Sequence, residues 1–378
     1  MEVLDARRLK VLGLTWSRAR ILLYLVKERK IRNAYSYLWS SLFVRDAGLA
    51  LMDWLYRINP ELAPYPEAIE VEVTTRCHLK CPICEHTYWK EPPRDMSFEE
   101  FKKIIEQFPR LKWIGLSGIG SAFLNKDFLK MLRLLKAKGV FVEFFDTFDL
   151  ITPQISEELV RLGIDKIWMS IDAAKKQTYE LIRVGGDFDR VINNLKSLIE
   201  IKKRFKTPIP ELWFHYIMNA YNVSEAPEFV DLVGAIINQS KTNYATLLFF
   251  TSLLYFDEVK HLRPDIPKEI KEQVLEKAKR HNLYVNWNEN ILANKPVSDC
   301  TKWTEPFVLA TAHLQPCCAI NEANDREHQK QNSFANLLEE DFRDIWRSNR
   351  LKEFRRKIHK GIFPQICKNC RLYMRFTK

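Results

Sequence analysis

Thr75-Arg76-Cys77-His78-Leu79-Lys80-Cys81-Pro82-Ile83-Cys84 follows the alternating stretch Ala68-Ile69-Glu70-Val71-Glu72-Val73 and precedes a helical pattern that opens at Ser97. Three thiols at x3 and x2 intervals can hold three irons of a cubane iron–sulfur cluster and leave the fourth iron open to another ligand. A zinc knuckle and buried structural thiols are the alternatives, and the position directly after a strand weighs against both.

Working outward from this run, strand-like and helix-like segments alternate. Helices are expected at 97–108 with Ser97 as N-cap, 125–138 closed by Gly139, 153–162, 188–204 and 225–239. Strands are expected at 111–116, 140–145, 166–171, 211–217 and 245–254, and a charged helix near 267–281. Such alternation implies a parallel sheet with right-handed crossovers, and the count falls short of a complete eightfold barrel. The expected fold is α/β, a partial (β/α)6 TIM-like barrel with an N-terminal helical extension and a small cysteine-rich C-terminal domain.

Four segments follow. Residues 1–66 form a basic helical extension, closed by the stiff run of Pro60, Pro64 and Pro66; 67–255 form the barrel; 256–299 a linking strand and helix region; and 300–378 hold the five remaining cysteines. At 378 residues, 46% hydrophobic and 28% charged, the chain has the bulk of a folded protein with a sizeable core. Eight cysteines with no signal peptide fit a reducing, cytoplasmic setting in which thiols hold metal.

The formal charge is +11, and the first 32 residues carry nine Lys/Arg against three acids. Their longest apolar run, Ile21 to Val26, is too short to cross a bilayer. With Val11, Leu12, Leu14, Trp16, Leu22 and Leu25, this segment reads either as a peripheral anchor on an anionic membrane surface or as helices packed on the body with a solvated basic face.

Cys77-x3-Cys81-x2-Cys84 at the end of a first strand, opening a β/α series over about residues 67–255, resembles the radical S-adenosylmethionine (radical SAM) superfamily. The resemblance implies a [4Fe–4S] cluster whose open iron chelates S-adenosylmethionine. Reductive cleavage then yields a 5′-deoxyadenosyl radical that abstracts hydrogen from an unactivated carbon, with an external donor such as ferredoxin or flavodoxin supplying the electron.

The family's glycine-rich strand end falls on Leu116-Ser117-Gly118-Ile119-Gly120-Ser121-Ala122, which implies cofactor contact at Gly118 and Gly120. Ser121-Ala122 stands where the family has Glu-Pro, so the contact to the methionine amino group would fall to backbone carbonyls. Ser170-Ile171-Asp172 with Arg183 resembles the family's Ser-x-Asp strand and trailing Arg, which implies that Ser170 and Arg183 meet the cofactor carboxylate. Asp172 would cap the next helix or bind ribose, and Asn219 would bind ribose or lock the backbone. Asp146-Thr147-Phe148 stands where the family often has Thr-Asn-Gly, and Ile83 where an aromatic flanks adenine. Glu85, His86, Tyr88, His215 and Tyr216 read as packing or supporting residues; no residue is assigned to catalysis.

Cys300-x16-Cys317, Cys318 and the later Cys367-x2-Cys370 resemble the auxiliary-cluster ends called SPASM or twitch domains. Gln315-Pro316-Cys317-Cys318, Ala312 at a usual Gly, and Phe342-Arg343-Asp344-Ile345-Trp346 carry the likeness. It implies a second, auxiliary [4Fe–4S] cluster on Cys300, Cys317, Cys367 and Cys370, with Cys317 and Cys318 able to exchange roles; a structural zinc is the alternative.

For the substrate, the basic aromatic N-terminal segment points to a membrane lipid or other hydrophobic molecule, with C–C bond formation or a similar change. The alternative is a peptide- or protein-modifying maturase, followed by a radical dehydrogenase or epimerase of a carbohydrate. An iron–sulfur or zinc scaffold is the non-enzyme reading, and nucleic acid is not an expected partner.

Overall fold

The computed structural model describes residues 18–40, 59, 63, 65–240, 246–253, 256–288, 297–300, 302–318, 326–367 and 370. The elements are α1 (18–27), α2 (Ile31–Trp39), β1 (Ala68–Val71), α3 (Phe98–Glu106), β2 (Trp113–Leu116), α4 (Phe128–Ala137), β3 (Phe141–Asp146), α5 (Pro153–Leu162) and β4 (Lys166–Ser170). They continue with α6 (Lys176–Ile182), α7 (Phe188–Arg204), β5 (Glu211–Met218), α8 (Ala226–Ile237), β6 (Leu247–Ser252), α9 (Lys268–Arg280) and β7 (Tyr284–Asn288). Last come β8 (Phe307–Val308), β9 (Leu314–Gln315), α10 (Arg326–Asn332), α11 (Phe342–Arg347) and α12 (Asn349–His359). The expected α/β alternation is borne out, with six strand–helix units running from β1–α3 to β6–α9. The helices expected through 41–58, and the basic residues before 18, lie outside the described residues.

Local codes set most boundaries. Ser97 caps α3 in a reciprocal box with Glu100: Glu100 N donates to Ser97 Oγ at 3.3 Å and Ser97 N to Glu100 Oε2 at 2.8 Å. Thr152 caps α5 with Pro153 in its first turn, and Gly163 ends it at φ 69°. The largest shift in a helix start is at α4, which begins at Phe128, not 125. Asn125 spends its side-chain amide on Val73 O and Met96 O, both at 2.8 Å, and its Oδ1 accepts Asp127 N, which holds residues 125–127 in a turn.

The chain forms two compact units. One draws on Met1–Tyr37, Leu79–Ile83 and Glu143–Glu289, the other on Leu38–His78, Cys84–Val142 and Asn290–Lys378. In the first, β3 to β7 lie side by side in sequence order, every pairing parallel. Strand β7 lies in the region read as a linker; its partly polar sequence suits the edge position beside β6. One face of this sheet packs on helices, as where Phe214, Tyr216 and Phe250 meet Phe229 of α8. The other face carries Phe145, Trp168, Trp213, Leu247, Phe249 and Tyr284. Helices α1 and α2 bury Ile21, Leu25, Ala34 and Tyr37, and Tyr37 Oη donates to Glu211 Oε1 at 2.6 Å.

In the second unit the order is β2-β1-β8-β9, with β1 parallel to both neighbours and β8–β9 antiparallel. Alternation along β1 buries Ile69, Val71 and Val73 and turns Glu70 and Glu72 to the opposite face.

Candidate active site and cysteine-lined cavity

The cysteine loop leaves β1 through a polar brace. Thr74 Oγ1 donates to Asp95 Oδ1 at 2.6 Å and accepts Arg76 N at 3.0 Å; Arg76 grips the same carboxylate with Nε at 3.0 Å and Nη2 at 2.6 Å. Cys77 and Cys84 are partly exposed in the second unit, and Glu85–Tyr88 forms a short 3-10 helix after Cys84. His86 Nε2 lies 3.0 Å from Thr75 O.

Cys81, in the first unit, is buried. Arg183 Nη1 donates toward its Sγ at 3.8 Å, and Lys80 N donates to Val184 O at 2.8 Å. Burial pushes the Cys81 thiol up, and the Arg183 guanidinium pulls it back. Arg183 Nη2 is paired with Asp172 Oδ2, while Asp172 Oδ1 accepts Ile217 N at 2.7 Å. Asp172 is fully buried and does not cap α6, whose N-cap residue is Lys175. Asn219 is also buried; its amide closes the turn after β5 through Ile217 O at 3.0 Å and Tyr221 N at 3.0 Å, the backbone-locking arrangement.

Ser170, at the end of β4, is partly exposed and in register with His215 of β5. His215 Nε2 lies 2.7 Å from Thr251 Oγ1, and its ring stacks on Phe249 at 5.4 Å. Removal from water pushes His215 down to about 4, so the imidazole is neutral at physiological pH. Below this polar layer Phe145 stacks on Trp168 at 5.1 Å and Trp168 meets Trp213 edge-on at 4.8 Å. Lys166 and Glu143 pair beneath them at 3.3 Å.

The glycine turn after β2 is shaped by close approach. A Cβ on Gly118, whose φ is 156°, would lie 2.5 Å from Glu72 Cγ, and one on Gly120 would lie 2.3 Å from Thr74 O. Glu72 was not singled out from the sequence; the signal was its place beside Glu70 on one face of an otherwise apolar strand. It accepts Ile119 N at 3.3 Å, Ala310 N at 3.0 Å and Arg326 Nη2 at 2.9 Å. In the Asp146-Thr147-Phe148 turn, Phe148 adopts φ 67° where glycine would be at ease, and its N donates to Asp146 Oδ1 at 2.6 Å.

Cys300, Cys317, Cys367 and Cys370 line one cavity, walled in part by Trp303 and Phe354. None of the four is in a disulfide. Cys370 N donates to Cys367 O at 2.9 Å, and Trp303 Nε1 to Cys300 O at 2.9 Å. Four thiols around an apolar space suit a thiolate-bound cluster, although among the described residues no group of three or more His, Cys, Asp or Glu could hold a single metal ion. Cys318 does not line this cavity; it lies beside the Glu70 carboxylate, which accepts Ser117 Oγ at 2.9 Å. Burial pushes the Glu70 carboxyl up, and the Cys318 and Ser117 bonds oppose it. Ala312 sits at φ 65°, the conformation that makes glycine usual there.

Among the described residues no helix is long and apolar enough to cross a membrane. A family profile described as the Radical SAM superfamily matches residues 71–233, and one described as an iron–sulfur cluster-binding domain matches residues 300–371. The tungsten-containing aldehyde ferredoxin oxidoreductase cofactor-modifying protein of Pyrococcus furiosus is 25% identical over 325 residues, 80% of this chain and 86% of the relative. Mycofactocin maturase MftC of Mycolicibacterium smegmatis is 27% identical over 135 residues, 35% of this chain and 34% of that protein. Streptococcus suis SuiB bound to S-adenosylmethionine shares the fold at TM-score 0.61 and 14% identity, covering 89% of this chain and 76% of SuiB. SuiB bound to its precursor peptide SuiA aligns at TM-score 0.60, 14% identity, 85% and 71%.

Proposed function

Since the chain belongs to the radical SAM superfamily and carries a SPASM-type iron–sulfur domain after its barrel, we propose that it is a maturase acting on a peptide or a peptide-derived cofactor precursor. The observation that carries this reading is the match over 80% of the chain to a cofactor-modifying protein. The peptide-bound structure of a fold neighbour and the shorter match to a maturase support it. The lipid reading therefore yields to the peptide alternative.

Cys77, Cys81 and Cys84 would hold the [4Fe–4S] cluster and leave one iron to S-adenosylmethionine, and together these would supply radical hydrogen abstraction from substrate. Arg183 steadies Cys81 through its Sγ, and Asp172 holds the guanidinium in place. Gly118 and Gly120 let the turn after β2 lie against the strand-end backbone where the methionine end would bind. Ser170 adds a hydroxyl on the sheet face where His215 and Thr251 stand, over aromatic rings that exclude water. Asn219 keeps the neighbouring turn closed. Cys300, Cys317, Cys367 and Cys370 would hold the auxiliary cluster, and a ferredoxin or flavodoxin would deliver the electron.

The reconstituted chain, incubated with dithionite, S-adenosylmethionine and synthetic peptides encoded beside its gene, should form 5′-deoxyadenosine and change the mass of one peptide. Stimulation by anionic phospholipid vesicles instead of any peptide would overturn the maturase reading. One observation keeps that second arm in play: Leu23, Val26 and Ile31 are exposed among the basic residues of α1 and α2.

A further inference from the structure

Arg326 opens α10 and is 2% exposed, yet among the described residues its guanidinium meets one acceptor, Glu72 Oε1, at 2.9 Å through Nη2. Nε and Nη1 are buried and have no hydrogen-bond partner among the described residues. The indole of Trp89 lies against the guanidinium, its ring centroid 5.2 Å from Cζ, and Trp89 Nε1 is likewise buried without a partner. Buried donors without acceptors are rare and costly, most of all on a charged group. Glu72 does not relieve them, because its oxygens also serve Ile119 N and Ala310 N.

We propose that Arg326 and Trp89 form a carboxylate-binding site beside the glycine turn. A carboxylate offers two coplanar oxygens to guanidinium N–H groups, and the indole supplies a further donor. Arg326 and Glu72 together are neutral, so a carboxylate adds one negative charge beside Glu72 where a phosphate dianion would add two. Glu72 Oε1 accepts both Arg326 and Ile119 N, which puts the site at the carboxyl ends of β1 and β2. Two carboxylates can reach such a place, that of S-adenosylmethionine and one on the substrate. The site stands whether or not the substrate is a peptide.

The test uses the anaerobically reconstituted full chain and equilibrium binding of three probes: S-adenosylmethionine, N-acetylglycine and N-acetylglycinamide. If the carboxylate is the substrate's, N-acetylglycine binds and the amide does not. Arg326→Gln then weakens N-acetylglycine at least about tenfold and leaves S-adenosylmethionine unchanged. If it is the cofactor's, Arg326→Gln weakens S-adenosylmethionine by a similar factor and N-acetylglycine shows no Arg326-dependent binding. Wild-type affinity for both in Arg326→Gln, or equal binding of acid and amide with S-adenosylmethionine unaffected, overturns the site. Should Arg326→Gln fail to take up iron, Trp89→Phe decides, since it keeps the ring and removes the N–H: a loss of about tenfold for one carboxylate is expected, and no change for either overturns the proposal.

Discussion

Replacing Asp172 by Asn should destabilise the protein by about 3 kcal/mol, because it strips the counter-charge from a buried guanidinium while keeping the shape of the site. Asp172 is fully buried, Arg183 is 8% exposed, and the pair is in direct contact. Breaking such a pair by removing one partner costs about 3–5 kcal/mol, mostly the charge left behind. The lower end applies here, since the amide oxygen of the new side chain can still accept Ile217 N, now 2.7 Å from Asp172 Oδ1. A second group within reach of the guanidinium is Cys81 Sγ, 3.8 Å from Arg183 Nη1. At an effective dielectric of about 20 that separation is worth roughly 4 kcal/mol of gross attraction to a thiolate and almost none to a thiol. Loss should therefore be larger after the cluster is chelated away than in the reconstituted protein. With about 2–4 °C per kcal/mol for a unit of this size, the reconstituted variant should melt roughly 6–12 °C lower under anaerobic calorimetry. The double variant Asp172→Asn/Arg183→Met removes the orphaned charge and should recover more than half of that. An unchanged midpoint for Asp172→Asn, or a double variant no better than the single, would refute the reasoning.

Two further outcomes follow from the geometry. Cys317→Ala should lower reconstituted iron from about eight to about four per chain and Cys318→Ala should leave about eight, because Cys317 faces the cavity while Cys318 is turned to Glu70; the reverse pattern would reassign the ligand. Burial pushes the Asp146 carboxyl from 3.8 up to about 7, so between those pH values the unfolded chain has shed a proton that the folded chain keeps. Stability from this group is thus complete below about pH 4, falls as pH rises to about 7 and is flat beyond. Asp146→Asn should flatten the fall between pH 5 and pH 8 by ~3 kcal/mol, followed through the melting midpoints at the two pH values; an unaltered pH dependence would show that another group sets it.

What was legible in the chain was what neighbouring residues decide. Helix α5 begins and ends where Thr152-Pro153 and Gly163 put it, and α7 runs from Phe188 to Arg204 as expected, because caps and apolar period are local. Asn125 defeated the same reasoning, since its amide is taken by carbonyls on Val73 and Met96 rather than by its own helix. Cys317 and Cys318 are indistinguishable by spacing; what separates them is Glu70, far away in the chain, which only the fold delivers. The pairing of Glu72 with Arg326 spans 254 positions and has no local signature at all.

The glycine turn shows why a motif can keep some residues and lose others. Gly118 and Gly120 persist here beside Ser121-Ala122, where the family carries Glu-Pro. With Ser121 and Ala122 in the turn, the glycines need a reason other than an acidic neighbour there. The structure supplies a different constraint: any side chain at Gly118 would strike Glu72, and any at Gly120 would strike the backbone of Thr74. Glu72 in turn is fixed by donors on Ile119, Ala310 and Arg326, two of which lie in the cysteine-rich region. Packing against the end of β1 thus holds both glycines in place. The acid beside the turn comes from the first strand, and its other contacts make the cysteine-rich region part of the turn's own support.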